Sequence, residues 1–138
     1  MRQPPTWDDY FTAIAEAVAR RSKDPRTQVG CVVVGEGRRV LATGYNGFPP
    51  GIEETSERWE RQAKKRFVVH AEMNAVLHAK EDLNGATAYV TLLPCLECAR
   101  ALISKGIKVV VFRDYKEAGD QAWELMNEAG LEVRQVKT

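Results

Sequence analysis

The sequence predicts an α/β protein of three layers, with a mixed five-stranded sheet carrying helices on both faces. Three observations predict it. Periodic apolar stretches and β-branched runs alternate in the order α-β-β-α-β-α-β-α-β. The runs "VGCVVV" and "IKVVVF" are short and almost continuously apolar, as strands covered on both faces are. From "GATAYVTLL" onward strands and helices alternate, which implies parallel pairing through right-handed crossovers. Residues 1–138 read as one domain, long enough to bury a core, and no repeat, low-complexity tract or linker divides it.

The elements follow in order. "WDDYFTAIAEAVARRS" sets Tyr10, Phe11, Ile14, Ala15, Val18 and Ala19 on one helical face, and Pro25 in "SKDPR" breaks the run. "VGCVVV" is the first strand, with Cys31 as a buried apolar residue. "GEGR" supplies a turn and "RVLATGY" a returning strand, so the pair is predicted as an antiparallel hairpin. "NGFPPG" is a loop. Residues 52–66, "IEETSERWERQAKKR", show no clean periodicity and read as a polar excursion with one short helix. Trp59 and the basic residues Arg58, Arg61, Lys64, Lys65 and Arg66 are expected on a solvated face, with an anion contact or a subunit interface as alternatives. "HAEMNAVLHAKED" is a helix whose packing falls to Met73, Val76 and Leu77, leaving His78 on its surface. "GATAYVTLL" is a strand, and "CLECARALISKG" a helix that Gly106 ends. "IKVVVF" is a strand, "KEAGDQAWELMNEAG" a helix with Gly130 at its end, and "LEVRQV" the last strand.

Charge and composition narrow the function. Lys and Arg number 20 against 19 Asp and Glu, a net +1, so the broad basic face of a nucleic-acid binder is not expected, though a local basic pocket is compatible. No apolar run approaches the roughly 18 residues of a membrane span. "MRQPPTWDDYF" lacks the order of a secretory leader, so the expected location is cytoplasmic. Of the three cysteines, two stand as Cys-x-x-Cys, a spacing that in a reducing compartment points to metal or redox chemistry before a disulfide.

Two stretches carry the chemistry. In "TLLPCLECARAL", Cys95 and Cys98 sit where a strand ends and a helix begins, so that one turn presents both thiols to a borderline-soft ion such as zinc. In "VVHAEMNAV", His70 opens another helix. Three ligands leave a fourth tetrahedral position open, as catalytic rather than structural zinc sites do. Glu72 would lie near that ion without binding it, able to carry a proton. His-x-Glu followed by Pro-Cys-x-x-Cys is a signature of zinc nucleobase deaminases, met here as His70-Ala71-Glu72 and Pro94-Cys95-Leu96-Glu97-Cys98. Each piece alone has a plainer reading: a satisfied structural histidine, a redox dithiol, a carboxylate on a helix dipole. Their combination at strand-to-helix junctions is what is specific.

Taken together, "RSKDPRTQVGCVVV", "GYNGFPPG", "VVHAEMNAV" and "GATAYVTLLPCLECARALISKGIKVVV" resemble the cytidine and deoxycytidylate deaminase superfamily, most closely its deoxycytidylate branch, between residues 20 and 112. The resemblance implies the three-layer fold of that family and hydrolysis of dCMP to dUMP and ammonia. It implies one catalytic zinc held by His70, Cys95 and Cys98, with Glu72 as the proton carrier. Amide groups near Ala71 and Cys95 would stabilise developing charge. Asn46 matches the family residue that bonds deoxyribose and base; its plainer role is a turn residue beside Gly47. A monophosphate needs cations: "RRSKDPR" offers Arg20, Arg21, Lys23 and Arg26 before the first strand, and "FRDYKE" offers Arg113 and Lys116 after the fourth, on the strand-end side. Of these segments, Arg113 with Tyr115 are the expected substrate contacts, solvated loop positions being the alternative. Lys23 and Arg26 are candidates for phosphate or a regulatory nucleotide. The branch further implies dCTP and dTTP as effectors, bound with magnesium, and a homo-oligomer, commonly a hexamer. The chain departs from relatives that carry a longer insert: residues 51–66 hold no Cys or His, so no second zinc site is expected there. Other readings stay open: a deaminase of cytidine, deoxycytidine, dCTP, guanine or tRNA adenosine, a non-catalytic zinc or nucleotide-binding module, and a redox dithiol.

Overall fold

The computed structural model describes residues 1–137. The Thr6 hydroxyl accepts a hydrogen bond from the Asp9 amide at 3.1 Å and so caps the first helix, α1, Trp7–Ala19. β1, Gly30–Val34, and β2, Val40–Tyr45, form the antiparallel hairpin. Then come α2 (Ala71–His78), β3 (Thr87–Leu92), α3 (Leu96–Ser104), β4 (Val109–Asp114), α4 (Asp120–Glu128) and β5 (Glu132–Gln135). The sheet order is β2-β1-β3-β4-β5. β1 pairs antiparallel with both neighbours, while β3–β4 and β4–β5 are parallel. The mixed sheet and its parallel second half are therefore as the element order predicts.

Alternation along β1 separates two cores. Val32 and Val34 face α1, where Phe11 and Ala15 pack with Tyr89 and Val111. Cys31 and Val33 face the opposite side, closed by Ala71 and Ala75 of α2, Ala99 and Leu102 of α3, and Ala122 and Met126 of α4. One helix thus covers one face and three cover the other. Two glycines set how closely the helices approach. A Cβ on Gly30 would stand 2.1 Å from the Ala15 carbonyl oxygen, and one on Gly44 would stand 2.3 Å from the Ala75 amide nitrogen. Backbone rests on backbone at both points, which only glycine permits.

The small side chains of α2 follow from that approach. Ala71, Glu72 and Ala75 are its buried residues, whereas Leu77 is 66% exposed. The expected packing through Leu77 is corrected: a helix lying this close to the sheet has room for alanine, and Leu77 falls on the outer face. Met73 and Val76 are half-buried.

The excursion at 52–66 corrects a second expectation. Trp59 is buried, its ring stacked on Phe48 with centroids 4.4 Å apart, and its indole N–H donates to Glu54 at 3.1 Å. Phe67 joins Phe48 at 5.3 Å, and the Arg58 guanidinium lies 4.7 Å above the Phe67 ring. These contacts form a small aromatic core with satisfied polar edges. The short helix is a 3-10 turn, Ala63–Arg66, and it aims Lys64 inward.

A charged cluster fastens α1 to the far edge of the sheet. Arg134 donates from Nε to Asp8 Oδ2 at 3.0 Å and from Nη2 to Oδ1 at 3.0 Å, and the Tyr89 hydroxyl donates to Oδ1 at 3.0 Å. The Arg134 hydrogen bonds hold the Asp8 carboxyl below its ordinary 3.8. Burial, then the Asp8 contact, pushes the Tyr89 hydroxyl up to about 12. A depressed carboxyl stabilises the fold above its unfolded pKa, and that stabilisation is lost as pH falls through the folded value. Asp8→Asn is therefore expected to cost about 1–2 kcal/mol at pH 7, the partial exposure of the pair being allowed for. The variant and the parent should approach one another as pH falls from 3.8 through the lowered folded value. Urea titrations at pH 7 and pH 2.5 check both statements; an equal difference at the two pH values would refute the linkage.

Candidate active site

His70 and Cys95 occupy equivalent places. Each is the extended residue before the first turn of a helix, α2 or α3, and neither side chain caps its helix. Ser, Thr, Asp and Asn usually fill that position and bond the first-turn amides. Here the imidazole and the thiol are left for another partner. Cys98 is three residues along, so one helical turn brings it back beside Cys95. α2 packs over β2 and β1 and against α3, which follows β3, so the two helix starts meet above neighbouring strands. Reciprocal backbone bonds between Gly47 and Val69, at 3.1 and 2.8 Å, hold the segment before His70 to the end of β2.

His70 Nδ1 lies 3.4 Å from Cys95 Sγ and 3.4 Å from Cys98 Sγ, and the three donor atoms all lie within 4.8 Å of one another. Tetrahedral zinc, with bonds of roughly 2.0–2.3 Å, sets such donors about 3.5 Å apart. One imidazole and two thiols in this arrangement fit zinc without rearrangement. One of the two thiols, Cys95, already leans towards thiolate. The Cys98 contact, helped by His70, pulls the Cys95 thiol down to about 3. The same Cys95 contact, with burial, pushes Cys98 up. The hydrogen bond with Cys95 raises His70. A divalent cation favours deprotonation of both thiols.

Glu72 is 4% exposed and forms no ion pair among the described residues. Burial pushes its carboxyl above the ordinary 4.5. It borders, with His70, Ala71 and Cys95, a cavity of about 330 Å³, near the lower end of the ~300–1,000 Å³ typical of small-molecule sites.

Asn46 lines the same cavity, but its amide already serves the fold. Oδ1 accepts from the Val29 amide at 2.8 Å, and Nδ2 donates to the Thr27 carbonyl at 2.9 Å and to Asp24 Oδ2 at 3.4 Å. Arg113 and Tyr115 do not reach the cavity. Arg113 spans Glu16 of α1 and Asp114, at 2.9 Å each, and the exposed Tyr115 donates to Asp120 at 2.6 Å. Lys23 lies 3.8 Å from Glu54 in a separate recess, and Arg26 donates to the Trp59 carbonyl at 3.4 Å.

Three further charged residues border the cavity: Asp24, which escaped the sequence reading; Lys64, expected on a solvated face with an anion contact as the alternative; and Lys116, nominated with Arg113 as a cation past the fourth strand. Asp24 Oδ1 accepts from the amides of Arg26 and Thr27 at 2.9 and 3.3 Å, and Lys64 Nζ reaches Oδ2 at 2.8 Å. The usable signal for Asp24 was Asp-Pro followed by polar residues, the pattern of an Asx turn.

The comparisons agree with this geometry. Residues 5–114 match the family described as the cytidine and deoxycytidylate deaminase zinc-binding region. The deoxycytidylate deaminase of Homo sapiens is 38% identical over 139 residues, covering 93% of this chain and 78% of that protein. That of Pongo abelii is 41% identical over 117 residues, covering 80% of this chain and 66% of the relative, so the chain spans about two-thirds of that relative's length. A dCMP deaminase from the cyanophage S-TIM5, solved with dCMP and dUMP, matches with a TM-score of 0.84 at 27% identity, over 98% of this chain and all of that one. No helix among the described residues is long and apolar enough to cross a membrane. Family match, shared fold and a donor set suited to zinc converge: the chain belongs to the cytidine and deoxycytidylate deaminase zinc-binding family.

Proposed function

We propose that this chain hydrolyses dCMP to dUMP and ammonia. The observation that carries the reading is Glu72: a buried carboxyl, outside the three-donor cluster, opening on the same cavity. His70, Cys95 and Cys98 hold zinc. When bound, the ion supplies Lewis acidity and lowers the pKa of a water from about 15.7 towards roughly 7.

Glu72 takes the first proton of the attacking water and delivers it to N3 of the cytosine as the oxygen adds at C4. It then moves the second water proton to the amino group, and the C4–N bond breaks to release ammonia. The N3 proton stays in the uracil ring, so atoms and charge balance. Burial suits Glu72 to this double duty, because a carboxyl whose pKa is raised holds the proton at less cost between its two transfers. The amides of Ala71 and Cys95 stabilise the charge that develops on the ring and the adding oxygen. The Ala71 amide opens α2 and has no intrahelical acceptor. Asn46 holds the loop beside the cavity, and the second lone pair of its Oδ1 can accept a sugar hydroxyl. A cytoplasmic setting suits a site that needs its two thiols reduced.

Ammonia release from dCMP, dCTP, deoxycytidine, cytidine, guanine and a tRNA anticodon loop tests the substrate. The expected result is the highest kcat/KM with dCMP and one zinc per chain by metal analysis. A preference for any other substrate would overturn the dCMP reading, and an active protein without zinc would overturn the chemistry.

A further inference from the structure

A buried ion pair ties together two walls of the cavity. Lys64, on the 3-10 turn Ala63–Arg66, places Nζ 2.8 Å from Asp24 Oδ2, and both residues border the cavity. The Asp24 side chain is 1% exposed and that of Lys64 24%. Lys23–Glu54 and the bond from Arg26 to the Trp59 carbonyl join the same two segments, but outside the cavity. Asp24 Oδ1 is taken by the amides of Arg26 and Thr27, so Lys64 is the cation that balances the carboxylate. Drawing Lys64 away to a ligand would leave that carboxylate buried and unpaired. The pair is therefore placed to act on a substrate through a neighbour.

That neighbour is Asn46, which lines the cavity and is 7% exposed. Its Nδ2 donates to the Thr27 carbonyl at 2.9 Å and to Asp24 Oδ2 at 3.4 Å, which uses both of its hydrogens. Its Oδ1 accepts from the Val29 amide at 2.8 Å and keeps one lone pair. The Ser22 hydroxyl donates to the Asn46 backbone carbonyl at 2.8 Å and fixes the main chain. Turned over, the amide would set Oδ1 against the Thr27 carbonyl and the Asp24 carboxylate, acceptor against acceptor. Its Nδ2 would then face the Val29 N–H, donor against donor. An ionised carboxylate only accepts, and the Lys64 ammonium keeps Asp24 ionised in a nearly closed site. The orientation of Asn46 thus depends on the Asp24–Lys64 pair, and the amide offers the cavity an acceptor and no donor.

We propose that Asp24 and Lys64 are a positioning pair, whose contact fixes the Asn46 amide so that the site reads the 3′-hydroxyl of the substrate sugar. The inference rests on the dCMP reading above. In dCMP the 5′ oxygen is esterified and the 2′ hydroxyl is absent, so the 3′-hydroxyl is the donor the sugar can offer. An acceptor held in place beforehand costs no ordering when the sugar arrives. Lys64 acts through Asp24 and Asn46, not on the phosphate.

The test measures kcat/KM for dCMP, 2′,3′-dideoxycytidine monophosphate and deoxycytidine, with zinc content and Tm, in the parent, Lys64→Met, Asp24→Asn and the double variant. The parent is expected to favour dCMP over the dideoxy analogue roughly 10-fold, the scale of one hydrogen bond. In either single variant the preference should shrink to about twofold, with the loss in KM and kcat kept within about threefold. Deoxycytidine should fall by the same factor as dCMP, because both carry the 3′-hydroxyl. Asp24→Asn keeps the volume but turns an NH2 towards Asn46 Nδ2 and Lys64 Nζ, donor against donors. The double variant buries no charge, so it should melt above either single variant while the preference stays lost. That separation of selectivity from stability is what a merely structural pair would not give, and it is read even where a single variant fails to fold. Lys64→Arg keeps the charge and should keep most of the preference. A parent-like preference in the double variant, a fall confined to dCMP with deoxycytidine unchanged, or a parent indifferent to the 3′-hydroxyl overturns the positioning role and leaves the dCMP reaction standing. A parent that releases no ammonia from dCMP overturns the reaction and this inference together.

Discussion

Glu72→Gln is expected to lower kcat for dCMP by roughly 10²- to 10⁴-fold while zinc stays at one per chain. The amide fills the same buried volume as the carboxyl, so the packing of α2 on the sheet is kept. What it lacks is the proton inventory: a glutamine cannot accept a proton from water and return it to the ring and the amino group. The carboxyl lies outside the His70, Cys95 and Cys98 cluster, so its loss removes no zinc ligand. Steady-state kinetics, metal analysis and a thermal melt read the three quantities separately. Parent-like turnover in Glu72→Gln would eliminate the proton-carrier role. Loss of zinc or of folding would show that Glu72 supports the site structurally instead.

The largest effect on stability is expected from one methyl group far less conspicuous than any ligand. Gly44→Ala puts a Cβ 2.3 Å from the Ala75 amide nitrogen and 2.4 Å from the Ala71 carbonyl oxygen. Both neighbours are backbone, so no rotamer change relieves the clash, and α2 must lift from β2. Overpacking of this kind costs about 3 kcal/mol or more, a fall in Tm of the order of 10 °C for a domain of this size. α2 carries Glu72 and begins directly after His70, so the shift also spreads the metal donors. The variant should hold less than one zinc per chain at a chelator concentration the parent withstands. Gly51→Ala is the control: Gly51 has φ +87° but open space around it, so only a backbone penalty of about 1 kcal/mol applies and zinc is retained. Full zinc occupancy and an unchanged melt in Gly44→Ala would contradict the close-approach account.

The parts of the site that were legible in the sequence are those whose geometry is local. Cys95 and Cys98 are one helical turn apart, and His70 and Glu72 share the opening of one helix, so spacing along the chain already encodes which side chains lie together. Which of the nominated cations borders the cavity was not legible in that way. "IKVVVF" reads as ending at Phe112, but β4 continues to Asp114. Strand alternation then decides Arg113: Val110 belongs to the core under α2, α3 and α4, so Arg113, an odd number of positions away, points to the α1 side and meets Glu16. Lys116, past the strand end, borders the cavity instead. Trp59 and Lys64 were hidden for another reason. Their segment has no period of its own, and its shape is set by Phe48, Phe67 and Asp24, which are distant in sequence.

By itself the sequence determined the order of elements, the mixed sheet, the zinc donor set and the unbound carboxylate, because each depends on periodicity or spacing within a few residues. Only the tertiary structure decided which charges face the cavity and which are already neutralised. That choice depends on strand register, on the face to which each side chain alternates, and on pairs such as Asp24–Lys64 and Arg113–Glu16, separated by tens of residues in the chain and joined at 2.8 and 2.9 Å in space.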